Sequence, residues 1–254
     1  VIEAQYAILF AEAYITEFRR LSRLPENTKN LMGEMEASAG IAFVKAKAPF
    51  ASNYELAEAL CGHSKNALRE RCSNANGGYT PSAVTFHRVT TSAIPHWSQI
   101  LQDEYHSEVR NPKAHSVGAR LMAGPYVIGE HKGLDGFYRL SELGSLVSGF
   151  GNKYIPRGPF REWLRTVQTD PHCAVDRWDR IDTVLSEKNK SREVWGQLKS
   201  TFKGAEFPTF IQRAEGSPNE ISNNPNAQQF VTPVGDALML KGLYVRIKNG
   251  GGNQ

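Results

Sequence analysis

The chain has 254 residues, 40% of them hydrophobic and 22% charged, the balance of an ordinary globular protein with room for one or two domains. Its net charge of +4 permits an anionic partner without demanding one. No run of about 18 apolar residues occurs, which excludes a membrane-spanning helix. The three cysteines, Cys61, Cys72 and Cys173, lack CxxC spacing, which favours a reduced, cytoplasmic setting over a disulfide framework. With Val1 at its start and no signal-peptide pattern, the sequence is expected to be part of a longer chain.

Residues 1–24 read as a helix. Ile2, Tyr6, Phe10, Tyr14, Phe18 and Leu21 recur at steps of four or three, an apolar stripe expected to face a core. Pro25 and Asn27 end it. Ala37 to Val44 is small and apolar, with no charge until Lys45, as in a buried strand. Gly40 inside that run marks a close approach by another backbone or a ligand. Pro49 stops the pairing because it has no N–H to give. A helix follows, opened by a capping box of Ser52 and Glu55, with Leu56, Ala57, Leu60, Cys61, Ser64, Ala67 and Leu68 as its apolar stripe. Lys65 and Arg69 lie one turn apart beside it.

Asn74 to Gly78 is a turn. Ser82 to Val89 is a strand, with Val84 and Phe86 on one face and Thr85 and His87 on the other. Trp97, Ile100, Leu101 and Tyr105 predict a short helix, and Asn111-Pro112-Lys113 a loop. From residue 119 onward the pattern reads as helical. Leu140, Leu143, Leu146, Val147 and Phe150 form one stripe, and Phe160, Trp163, Leu164 and Val167 a second, behind Pro159 in a first turn. Asp170-Pro171 caps a third helix carrying Val175, Trp178, Ile181 and Leu185. A fourth is expected around Val194, Leu198 and Phe202. Gly216 to Gln229 reads as a long loop, and Asp236 to Ile247 as a last short helix or strand.

The chemistry is marked first by an absence: the first aspartate is Asp103. A two-metal phosphoryl-transfer site needs converging carboxylates, and the glutamates before residue 103 read mostly as surface charge. The seven histidines show no HExxH spacing, and neither GxSxG nor GxxxxGK[ST] occurs, so no catalytic and no metal-binding residues are assigned. Lys45 and Lys47, two apart on one strand face, and Lys65 and Arg69 on the helix are the cations placed to meet phosphate. Lysine would act there as a point charge.

Ala37-Ser38-Ala39-Gly40-Ile41-Ala42, followed by the lysine pair and Pro49, resembles a segment of the second Palm domain in the large subunit of type III CRISPR effector complexes. Ser64-Lys65 falls where that family carries Ala-Lys at the end of the next helix. Ser82 to Ser92 is similar to its following strand. Leu121 to Tyr126 is similar to its Leu-Thr-Ala-Arg-Pro-Tyr element, and Thr232 to Leu238 to a Thr-Pro-Leu-x-Asp-Ala-Leu element. The resemblance implies an α+β architecture: a partial ferredoxin-like, cyclase-type sandwich over residues 1–90, a linker with a short helix over 91–118, and a helical docking domain over 119–254. It implies ATP with magnesium or manganese for a complete Palm pair making cyclic oligoadenylates. Other CRISPR effector subunits, guide RNA and target RNA would be partners. Ser38, Gly40, Lys45, Lys47, Lys65 and Arg69 would lie near the nucleotide. The family's Gly-Gly-Asp-Asp hairpin is not in this sequence, so no catalytic residue carries over. Two alternatives stand beside this expectation: a non-catalytic, degenerate Palm serving as a scaffold, and a stand-alone diguanylate-cyclase-like enzyme.

Overall fold

Small side chains and an absence of charge let Ser38–Phe43 lie flat as strand β1. Pro49 then turns the chain into a 26-residue helix, α3 (Phe50–Ala75), preceded in the chain by α1 (Ala7–Ser22) and the short α2 (Pro25–Thr28). Strand β2 (Ala83–Arg88) follows and pairs parallel to β1, from Ser38 opposite Ala83 to Phe43 opposite Arg88. A parallel pair needs such a helical crossover. The computed structural model describes residues 1–28, 35–75, 80–91, 94–109, 117–129, 137–201, 212–213 and 228–247. The chain forms two units. The first holds Val1–Trp97, Gly124–Ser141 and Leu243–Lys248, and the second Ser98–Ala123, Glu142–Gly242 and Asn249–Gln254. The protein is α+β, and no helix among the described residues is long and apolar enough to cross a membrane.

In the first unit β2 is central. The two-residue β5 (Tyr126–Val127) pairs antiparallel to it, giving the order β1-β2-β5. Both faces of β2 from Ala83 to His87 are buried. Thr85 meets α3 through a 2.6 Å hydrogen bond with Ser64, while Phe86 stacks on Tyr126 at 5.6 Å. Leu56, Leu60, Ser64 and Leu68 are the buried line of α3, as the helical spacing predicts. That helix starts at Phe50, so Ser52 and Glu55 sit within its first two turns and not at the boundary.

The expected stripe of α1 is not its buried face. Ile8 and Ile15 are buried with Ala7 and Ser22, whereas Tyr6, Phe10 and Tyr14 are 40%, 60% and 61% exposed. Small residues beside Ile8 and Ile15 let the helix approach closely, and bulky aromatics would hold it off.

The second unit is not purely helical. The stretch expected as a linker carries α4 (Trp97–Ile100), a π-helical turn (Leu101–Tyr105) and β3 (His106–Val109). Strand β3 pairs with β4 (Val117–Arg120), which pairs parallel to β7 (Gln228–Val231), flanked by β6 (Gln212–Arg213). Residues 119–139, expected as helix, hold the end of β4 and all of β5. Strands of two to four residues are too short to show a period, and the parallel partner of β4 lies more than a hundred positions away.

Four helices carry the unit's core: α5 (Leu140–Gly149), α6 (Arg157–Thr169), α7 (Pro171–Glu187) and α8 (Asn189–Thr201). Asp170 caps α7 by accepting the Cys173 N–H at 3.1 Å. Phe160, Trp163, Trp178 and Trp195 are fully buried, with ring centroids 4.9–6.0 Å apart. Helix α9 (Val234–Gly242) closes the described order. The Asn111–Lys113 loop, Phe202, Gly77-Gly78 and residues 216–227 lie outside the described residues.

A methyl group on Gly40 would collide with the Ala57 carbonyl and the Cys61 N–H of α3, and would stand 2.9 Å from Leu60 Cβ. Gly40→Ala is expected to lower stability by about 2 kcal/mol or more, as overpacking against an immovable backbone does. Gly62→Ala, on the same helix with nothing within 4 Å, is expected to raise stability by about 0.5–1 kcal/mol. Urea unfolding midpoints of the two variants measure the contrast.

Candidate functional site

Five of the six residues picked from sequence separate into two groups, because α3 runs back along the strands it covers. Lys45 and Lys47 lie just past the carboxyl end of β1. With Pro49, Val89 and Thr91 they line a cleft of about 210 Å³, where the Val89 N–H still donates to the Phe43 carbonyl at 2.9 Å. Both lysines are exposed and without an ion-pair partner among the described residues. Lys65 stands fifteen residues after Phe50 along α3, about 22 Å away at the helical rise. One ligand phosphate cannot meet both groups.

The other end of the sheet is built differently. The Cys61 thiol donates to the Ser38 carbonyl at 3.3 Å, which sets this turn of α3 level with the start of β1. Lys65 and Arg69 follow one and two turns farther on, exposed and without an ion-pair partner among the described residues. Leu68, between them and the sheet, packs with Ala83 and Val127. Ser38, Lys65 and Arg69 therefore share one end, and Lys45 and Lys47 the opposite one. Gly40 belongs to neither: what approaches it is the backbone of α3.

A residue passed over among the surface glutamates organises the first of these ends. Glu36 has a side chain only 9% exposed. One of its oxygens meets Arg19 Nε of α1 at 3.0 Å, and the other accepts the Ser82 N–H at 2.9 Å and the Ser82 hydroxyl. The Ala37 N–H donates to that same hydroxyl at 3.0 Å. A buried carboxylate needs such partners. Its position directly before an uncharged strand was the one signal that could have set it apart.

The metal ions that the resemblance implies find no ligand set here. Among the described residues no three His, Cys, Asp or Glu side chains gather, and Glu36 is already taken up by Arg19 and Ser82. Lys65 and Arg69 suit the phosphates of a nucleotide but supply no carboxylate for a cation.

On the α3 face of β2, His87 is 2% exposed, with Trp97 at 5.9 Å between ring centroids and His63 in turn 5.5 Å from Trp97. Burial pushes the His87 imidazole from 6.5 down to about 4, so it is neutral at pH 7. The unfolded chain takes up that proton near 6.5 and the folded one only near 4. Stability from this group is thus complete above pH 6.5 and lost as pH falls toward 4. The loss should reach about 3 kcal/mol at 1.36 kcal/mol per pKa unit. His87→Asn should flatten that segment of the stability–pH curve, measured by urea titration between pH 4 and 7.

No protein-family model matches the chain, and no curated protein matches it in sequence.

Proposed function

We propose that the first unit is part of a nucleotide-binding, Palm-type domain of a type III CRISPR large subunit. In that reading the second unit docks it to neighbouring effector subunits on guide and target RNA. The observation that carries the reading is the open edge of β1. In the order β1-β2-β5, β1 is paired on one side only among the described residues. It has no charge, proline or bulge of the kind that protects a free edge. An uncharged edge paired on one side only is what a ferredoxin-like sandwich leaves when further strands complete it.

The supporting chemistry is cationic. Lys65 and Arg69 stand at the end of the sheet that holds Ser38 and would neutralise the phosphates of ATP. The carboxylates that hold magnesium or manganese in the family would then come from outside the described residues. This unit would bind and orient the nucleotide without supplying the metal site.

The test is cyclic oligoadenylate synthesis by the assembled complex with target RNA, followed against ATP concentration. Lys65→Ala should raise KM for ATP about tenfold, the equivalent of 1.4 kcal/mol of binding, with kcat changed far less. Lys45→Ala/Lys47→Ala, at the other end, should leave KM within about twofold. Unchanged kinetics for Lys65→Ala would reject the nucleotide site. Assembly without any synthesis would favour the scaffold alternative.

A further inference from the structure

Helices α6 and α7 diverge over a groove of about 570 Å³ in the second unit. Its walls mix apolar and charged side chains: Pro159 on one side and Ile181 and Val184 on the other supply the apolar part, over the buried Phe160. Val184, 48% exposed, extends the apolar strip of Pro159 and Ile181 along the groove. Arg177 and Arg180 line the same groove, exposed and ion-paired with no carboxylate among the described residues.

The charges of α7 are sorted across the helix. Asp182 turns to α8, where it accepts the Trp195 Nε1–H and pairs with Lys199, both at 2.6 Å. Asp176 and Asp179 are exposed outside the groove lining, and the one carboxylate within the lining is Glu162. On α6, Arg157, Arg161 and Arg165 are exposed but lie outside the groove lining, so its positive charge comes from Arg177 and Arg180.

We propose that this groove is the docking site for an acidic amphipathic helix of a partner protein. Arg177 to Val184 spans two turns, about 10 Å, the reach of apolar anchors at i and i+4 or i+7 on a docked helix. Acidic residues beside those anchors would meet Arg177 and Arg180. A single nucleic-acid strand fits less well, because no exposed aromatic ring lines the groove to stack a base. The inference rests on the docking role given above to the second unit. The Lys65 kinetics and the binding measured here can nevertheless fail separately.

The test uses two fluorescein-labelled synthetic helices of about 18 residues, with leucine at the anchor positions and either glutamate or lysine at the flanks. Anisotropy titrations of the full chain should give at least about tenfold tighter binding of the glutamate peptide. Arg177→Glu/Arg180→Glu should reverse that preference, and Val184→Asp should weaken both peptides. All three side chains are exposed, and circular dichroism melting confirms that the variants fold. Equal binding of the two peptides, a preference indifferent to the charge reversal, or displacement of the glutamate peptide by a uridine oligonucleotide would overturn the assignment.

Discussion

Everything in the first unit depends on how closely α3 can lie on β1, and that distance is set by the missing side chain at Gly40. With only hydrogen there, the helix backbone at Ala57 and Cys61 comes into direct contact with the strand. Groups that would otherwise be stranded at so tight an interface are paired across it. The Cys61 thiol reaches the Ser38 carbonyl, and Ser64 reaches Thr85. Buried polar groups are tolerated only on those terms. The same contact fixes the direction of α3 along the strands. Lys65 and Arg69 are thereby brought to the end where Ser38 begins, and Lys45 and Lys47 are left at the other.

The second unit is held by a different device. Trp163 donates its indole N–H to the Ala174 carbonyl at 2.9 Å, and Trp195 donates to Asp182. The largest side chains thus fill the centre of the helical cluster without leaving a polar atom stranded. Asp236, 1% exposed, accepts the Ala123 N–H at 2.9 Å, and the Thr232 N–H donates to the Arg120 carbonyl at 3.2 Å. The elements Leu121–Tyr126 and Thr232–Leu238 were singled out as separate motifs, and the start of the first proves to be joined to the second. Tyr105 has its hydroxyl pushed upward by burial and by Asp236, which keeps it protonated beside that joint.

Legibility followed the length of each element. Helix α3 is long, one of its faces is packed throughout, and Leu56, Leu60, Ser64 and Leu68 could be picked out in order. In α1 the period was correct and the face was wrong. That helix is apolar over much of its circumference, and periodicity favours Phe10 and Tyr14 over the smaller Ala7 and Ser22 that allow close packing. Glu36 looked like any other glutamate, because nothing nearby in sequence announces that Arg19 and Ser82 will surround it. The strands β3 to β7 were missed almost wholly, since each is too short for alternation and several are set by distant pairings such as β4 with β7.

By itself the sequence determined the long helices, the two strands on either side of α3, a close approach at Gly40, and the supply of cations around α3. Those properties reside in local spacing, in backbone permissiveness and in side-chain chemistry, which a linear chain already displays. Only the tertiary structure decided which cations share an end of the sheet, which face of α1 is covered, and that Glu36 and Asp236 are buried and held. It also decided that Arg177 and Arg180 face an open groove. These are relations between residues tens to hundreds of positions apart. They come into being only when packing chooses among faces that local pattern leaves equivalent.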